Sequence, residues 1–231
     1  IKTAALGYTY TLEEIGRARL YDQPLDARRA TAVRDITERG LNKTYLWGKG
    51  VGEGLYTSTN VTQELAGSTL KAMVAAIPTL GTQPIIDFYG NMYNQVYLKN
   101  TQTVYRPTHI IHPPEQMQLL QRTLLSSDNA SNITLLEFLR KNFKDITFDD
   151  DILLSKSMLD QAGNPEPTPL DEDRIVCYRK DMEVVKGHDV MPLMFLAPAT
   201  ADNINFKVPA IVRTGGTEWR IPKAAHYVDG A

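Results

Sequence analysis

"FKVPAIVRTGGTEWRIPKAAHYVDG", residues 206 to 230, alternates in its first half: Phe206, Val208, Ala210 and Val212 fall on one face, Lys207, Pro209, Ile211 and Arg213 on the other. After Gly215-Gly216 the apolar residues shift to odd numbers, Trp219 and Ile221, and beyond Pro222 comes a last strand-like run, "AAHYVDG". Two geometries satisfy this change of phase. In a two-residue hairpin, Gly-Gly supplies the turn, Val212 faces Trp219 and Ala210 faces Ile221. In a single long strand, a bulge adds one residue, flips the side-chain parity and bends the chain. Parity alone does not choose between them.

Working outward, strands dominate the last third: residues 174 to 180, about 190 to 196, and the closing stretch. A Pro- and acid-rich loop, "DQAGNPEPTPLDED" at 160 to 173, precedes them. The middle of the chain reads as helices at 68 to 77 and 83 to 98, split by "PTLGTQP", the second with Ile85, Ile86, Tyr89, Tyr93, Val96 and Tyr97 on a broad apolar face. A short buried strand at 107 to 113 follows, then helices at about 115 to 125 and 134 to 143, and "DITFDDDILL" alternates like a strand. At the other end, "TLEE" at 11 to 14 is a capping-box pattern that starts a helix near Leu12. Pro24 interrupts it, and a second amphipathic helix with Ala30, Val33, Ile36, Gly40 or Leu41 and Tyr45 on its apolar face runs to Trp47. "GKGVGEGLYTSTNVT", which has few residues able to pack, is the best candidate for a domain boundary. Helix, mixed middle, then sheet argues for an α+β arrangement rather than a βαβ repeat.

The 231 residues suffice to bury a core without staples, and a net charge of −2 with both signs interspersed gives no basic stripe of the sequence-specific DNA-binding kind. Cys177, the one cysteine, excludes an internal disulfide and a Cys-based zinc cluster. The most apolar run, "MVAAI" at 73 to 77, falls far short of the roughly 20 residues that cross a bilayer, so no membrane partner is expected.

Candidate chemistry is thin. "GKGVGEG" invites a phosphate-loop reading, yet Gly50 stands where the Walker form needs Ser or Thr, and Glu53 where the dinucleotide fingerprint needs glycine; a hinge is the better reading. His109 and His112, in "HIIH", have the look of metal ligands, but in an extended segment an i, i+3 pair points to opposite faces, which favours core or interface histidines. His188 and His226 have no nucleophile in a recognisable local motif. Asp145 and the run Asp149, Asp150 and Asp151 lack the glycine and ligand spacing of a calcium loop and suit a solvated strand edge. Lys207, Arg213, Glu218 and Arg220 charge the face around the closing glycines, as in a sheet that meets copies of itself.

Three stretches resemble the Hong Kong 97-type major capsid proteins of tailed phages, in their prophage branch. "LGYTYTLEEIGRARLYDQPLDARRATAVRDITERGLNKTYLWGK" resembles the strand and long spine helix of that family's peripheral domain, followed by "GLYTSTNVT" at its Gly-Leu-Tyr turn, where this chain departs by ending in Thr rather than Pro. The closing stretch is similar to the terminal signature, with Arg-x-Gly-Gly, a Pro-x-Ala step and Tyr-x-Asp-Gly, and "DRIVCYRKDMEVV" is similar to the strand and turn before it.

The resemblance implies a Hong Kong 97-type α+β fold with a peripheral domain at 1–61 and 181–222 and an axial domain at 62–180, to which 223–231 return. It also implies that 206–221 is one bulged strand, with Pro222 marking the crossing. Family members carry an N-terminal arm and an extended loop ahead of the position of Ile1, so the chain is expected to be a piece of a longer product that folds yet assembles poorly. The implied function is a non-enzymatic subunit, without cofactor or metal, that assembles in the bacterial cytoplasm into the pentamers and hexamers of a virion shell around double-stranded DNA. Scaffold, maturation protease and portal are its further expected partners. Gly50, Gly52, Gly54, Arg213, Gly215, Gly216, Glu218 and Arg220 are the candidate assembly or hinge residues. The alternatives are an encapsulin-like nanocompartment shell and, in another class, a metal-dependent hydrolase using His109 and His112.

Overall fold

A computed structural model of the protein describes residues 1–20, 25–125, 132–161, 169–202 and 204–231. The chain forms two compact units: Ile1–Leu55 with Gly187–Glu218, and Tyr56–Lys186 with Trp219–Ala231.

The first unit opens with β1 (Lys2–Thr11), whose even residues turn inward and odd residues outward. The capping box then starts α1 (Leu12–Leu20): the Glu14 N–H donates to Thr11 Oγ1 (3.2 Å) and the Thr11 N–H to Glu14 Oε2 (3.0 Å), so two helix-end donors are satisfied reciprocally. Pro24 lies outside the described residues, and α2 (Leu25–Trp47) follows. Its buried stripe is Val33, Thr37, Thr44 and Trp47, while Ile36, expected on that stripe, is 57% exposed. Threonine can take the place of an aliphatic here because each hydroxyl donates within the helix, Thr37 to the Val33 carbonyl (2.7 Å) and Thr44 to that of Gly40 (3.0 Å).

The second unit adds β2 (Thr62–Leu65), then α3 (Leu70–Ala75), α4 (Ile77–Leu80) and α5 (Gln83–Asn94), which widens into a π-helical turn over Gln95–Asn100. β3 (His109–His112), α6 (Pro114–Arg122), α7 (Leu135–Asn142), β4 (Thr147–Asp150), α8 (Lys156–Gln161) and β5 (Arg174–Tyr178) follow. "DITFDDDILL" is a strand only over its four central residues. The Asp151 carboxylate accepts the Leu153 N–H (2.9 Å) and turns the chain into a 3-10 helix at Ile152–Leu154.

β6 (Val185–Phe195), β7 (Ala199–Asp202) and β8 (Asn205–Trp219) complete the sheet of the first unit, ordered β1-β8-β6 with β7 also on β8. β8 is one strand through the glycine pair, which overturns the hairpin: Val212 lies opposite Ala4 of β1, and Ala210 opposite Leu6. The chain then passes a 3-10 turn at Pro222–Ala224, where proline's missing N–H is not needed, into β9 (Ala225–Asp229). β9 is an interior strand of the second sheet, ordered β2-β9-β5-β3-β4. β5 and β9 are buried at every position, which is why neither alternates in sequence. Around that sheet, Leu70, Ile85, Tyr89, Leu120, Leu139 and Ile175 make one apolar core.

Candidate functional site

The phase change of β8 is a bulge built against the end of α2. Thr214 Oγ1 lies 2.8 Å from the Tyr45 hydroxyl and Thr217 Oγ1 donates to the Tyr45 carbonyl at 2.6 Å, so an even and an odd residue of one strand face the same helical residue. Gly216 between them has φ +77°, and its N–H donates to Thr214 Oγ1 at 3.1 Å. A Cβ on Gly216 would stand 2.9 Å from Val51 Cγ1, and one on Gly215 2.8 Å from His188 Cβ. The Tyr45 hydroxyl donates to the Asp189 carboxylate; burial first, and that bond second, hold its pKa above the ordinary phenol value, so it stays a donor. His188 Nε2 and Glu218 Oε2 meet at 2.7 Å on the outer side, while Arg213, opposite Thr3, is exposed. Arg220 is exposed as well, its N–H donating to the Val184 carbonyl (2.9 Å).

"GKGVGEG" is a packed turn rather than a loose coil. Gly48, at φ +72°, donates its N–H to the Thr44 carbonyl, and its own carbonyl accepts from Val51 and Gly52, each at 3.0 Å. These donors are spent within the chain, which removes the cradle a phosphate would need. A Cβ on Gly54 would come within 2.3 Å of the Gly48 nitrogen. Gly50, at φ +78°, lies along the Lys2 stem, whose ammonium donates to the Lys49 carbonyl (2.8 Å), and Gly52, at φ +123°, faces open space. The rest of the segment also packs: Tyr56, Ser58 and Val61 are buried.

The second unit holds a feature that sequence reasoning missed. Arg174 opens β5 and Asp229 closes β9, directly opposite in register. The guanidinium donates through Nε to Asp229 Oδ1 (2.6 Å), through Nη2 to Oδ2 (2.8 Å) and through Nη1 to the Tyr56 carbonyl (2.5 Å), and it lies 4.7 Å from the Tyr227 ring centroid. Gln63 donates to the same carboxylate. Both side chains are about 10% exposed, so the pair is a buried clamp between two interior strands. A charge at each mouth of an otherwise apolar strand was the available signal.

The histidines are dispersed. His112 is fully buried, with Nε2 2.9 Å from the Tyr89 hydroxyl; burial lowers its pKa to about 4, and the backbone of Asp149 opposes the shift. His109 sits beside Thr108, its pKa lowered by burial and then by Lys180. His226 is buried between Thr62 and Glu64, and burial lowers its pKa too. Asp149 and Asp150 are exposed on the edge strand β4, and Asp151 accepts the Tyr56 hydroxyl (2.8 Å). Among the described residues no three His, Cys, Asp or Glu side chains come together to hold a metal ion, and no helix is long and apolar enough to cross a membrane.

The first unit is held by close approaches of its backbone and the second by a buried ion pair, and solved structures share the fold. The capsid of Myoviridae phage XM1 aligns over 100% of this chain and 73% of its own, with TM-score 0.78 and 15% identity. A structure of Mycobacterium phage Ogopogo aligns over 100% and 75%, at 0.59 and 12%. The SrpI encapsulin complex of Synechococcus elongatus PCC 7942 aligns over 99% and 73%, at 0.51 and 11%. No curated protein sequence matches the chain. The fold is that of the Hong Kong 97-type phage capsids. The chain belongs to the major capsid protein family, whose model matches residues 1–231.

Proposed function

We propose that this structural capsid subunit forms the pentamers and hexamers of an icosahedral phage head around double-stranded DNA and has no catalytic activity. The observation that carries this is the path of the closing strand. One bulged strand spans the sheet of the first unit, and its continuation becomes an interior strand of the second sheet, so one continuous segment contributes to both. On this reading the unit containing α2 is the peripheral domain and the unit containing β9 the axial domain. Gly50, Gly52 and Gly54 shape the turn that leads from one to the other, while Gly215, Gly216, Arg213, Glu218 and Arg220 shape the strand that returns. A near-neutral surface suits a wall that encloses DNA without reading its sequence. Scaffold, maturation protease and portal would be its partners during assembly in the host cytoplasm.

Expression of the complete reading frame that encodes this chain tests the proposal, with particles sized by light scattering and imaged by electron microscopy. Closed shells containing five- and six-fold capsomers, filled with double-stranded DNA when assembled in phage-producing cells, are expected. A protein that stays monomeric at all concentrations would refute it, and shells that enclose a protein cargo would favour a nanocompartment.

A further inference from the structure

The sheet of the second unit carries opposite charge at its two ends. β2, β3, β4 and β9 run one way and β5 runs against them, so the segments that lead into those four strands gather with the segment that leaves β5. Lys99, Arg106, Lys144, Lys180 and Lys223 are exposed there. Asp145, Asp181 and Glu183 offset them only in part, and Asp181 is already bound to Arg179 (3.1 Å). At the opposite end, where β3 and β4 finish and β5 begins, Glu115, Asp149, Asp150, Asp171 and Glu172 are exposed. Arg174 is buried on Asp229, and Lys71 and Lys156, whose ammonium donates to the Asp171 carbonyl (2.7 Å), offset these carboxylates only in part.

The two ends do not neutralise each other. Five residues of β5 separate them, roughly 17 Å at the extended rise, against a Debye length of about 8 Å at physiological ionic strength. Each chain therefore presents two complementary surfaces that it cannot satisfy by itself.

We propose that the basic end of this sheet docks on the acidic end of the same sheet in a second copy of the chain. The inference rests on the reading of the chain as a shell subunit, in which copies must meet. Because the two surfaces differ, the contact is head-to-tail, leaves one surface of each kind open on every pair, and closes into a ring when the rotation between copies allows. Charge pairing of this kind sets register and encounter rate and suppresses wrong orientations. A nucleic acid could occupy the basic end, but it would leave the acidic end without a role.

The test uses two charge-reversal variants of the complete gene product. One carries R106E, K180E and K223E, making both ends acidic; the other carries D149K, D150K and D171K, making both ends basic. Circular dichroism and thermal melts establish that each is folded, and light scattering measures the assembled fraction. Each variant alone should assemble about tenfold or more less than wild type, and an equimolar mixture should recover six-membered rings, in which the acidic-ended and basic-ended variants alternate, while five-membered rings, which cannot alternate, stay depleted. Wild-type assembly by either folded variant alone, or no recovery on mixing, would overturn the head-to-tail contact while leaving the shell reading intact. Failure of the wild-type protein to assemble would remove both. If only the R106E, K180E and K223E variant is defective and it has also lost affinity for a short DNA duplex, the surface serves nucleic acid and the inference is wrong.

Discussion

Replacing Gly216 with alanine isolates the physical demand of the bulge. An L residue held in the left-handed region costs about 1–2 kcal/mol, and Gly216 has φ +77°. The added methyl would also lie 2.9 Å from Val51 Cγ1 and 3.2 Å from Val51 Cβ, an overpacking contact worth about 1–3 kcal/mol if the turn holding Val51 does not yield. Together these give a loss of about 2–5 kcal/mol. Two further variants separate the contributions. Gly215→Ala meets His188 Cβ at 2.8 Å without a positive φ, so it should lose only the packing part. Gly67→Ala meets nothing within 4 Å and needs no positive φ, so its effect should stay within about 0.5 kcal/mol. Urea unfolding supplies the free energies, with Trp47 reporting on the first unit and Trp219 on the second. Amide exchange over residues 205–217 locates the damage, and the order Gly216 above Gly215 above Gly67 is expected. A Gly216→Ala loss no larger than that of Gly67→Ala would refute the bulge argument.

Arg174→Met should cost about 3–5 kcal/mol because it leaves Asp229 buried and unpaired, whereas Arg174→Met with Asp229→Leu should recover most of that loss; equal losses in the single and double variants would contradict the clamp. His112 titrates near 4 when folded and near 6.5 when unfolded, so the unfolded chain takes up its proton first as the pH falls. Its contribution of about 3 kcal/mol is complete above pH 6.5 and is lost progressively down to about pH 4. The difference in urea midpoint between wild type and His112→Gln across that window checks this, His226 acting in the same direction in both proteins. Cysteines at 4 and 212 should form a disulfide within one chain, since facing Cα atoms in an antiparallel pair are about 4.5–5.5 Å apart, while cysteines at 212 and 219 should not. The reverse pattern would restore the hairpin.

The amphipathic and capping signals were legible because they are local. Thr11 and Glu14 find each other across one helical turn whatever the rest of the chain does. The even-odd alternation of 206–214 likewise depends only on the strand period and one covered face. At Gly215-Gly216 the local code gave two answers of equal quality, and the choice depended on a partner 200 residues away: β1 occupies the edge that a hairpin's own second arm would have taken. The same distance hid the Arg174–Asp229 clamp, two charges 55 positions apart that only the register of β5 against β9 brings together. "GKGVGEG" looked slack because glycine shows no side chain to pack, yet at Gly48 and Gly54 backbone approaches too closely for any Cβ. By itself the sequence determined the periods, caps and candidate turns, whose interactions close within a few residues. The tertiary structure alone decided strand order, the route of β8 and the pairing of buried charges, because those depend on contacts whose partners are remote in the chain.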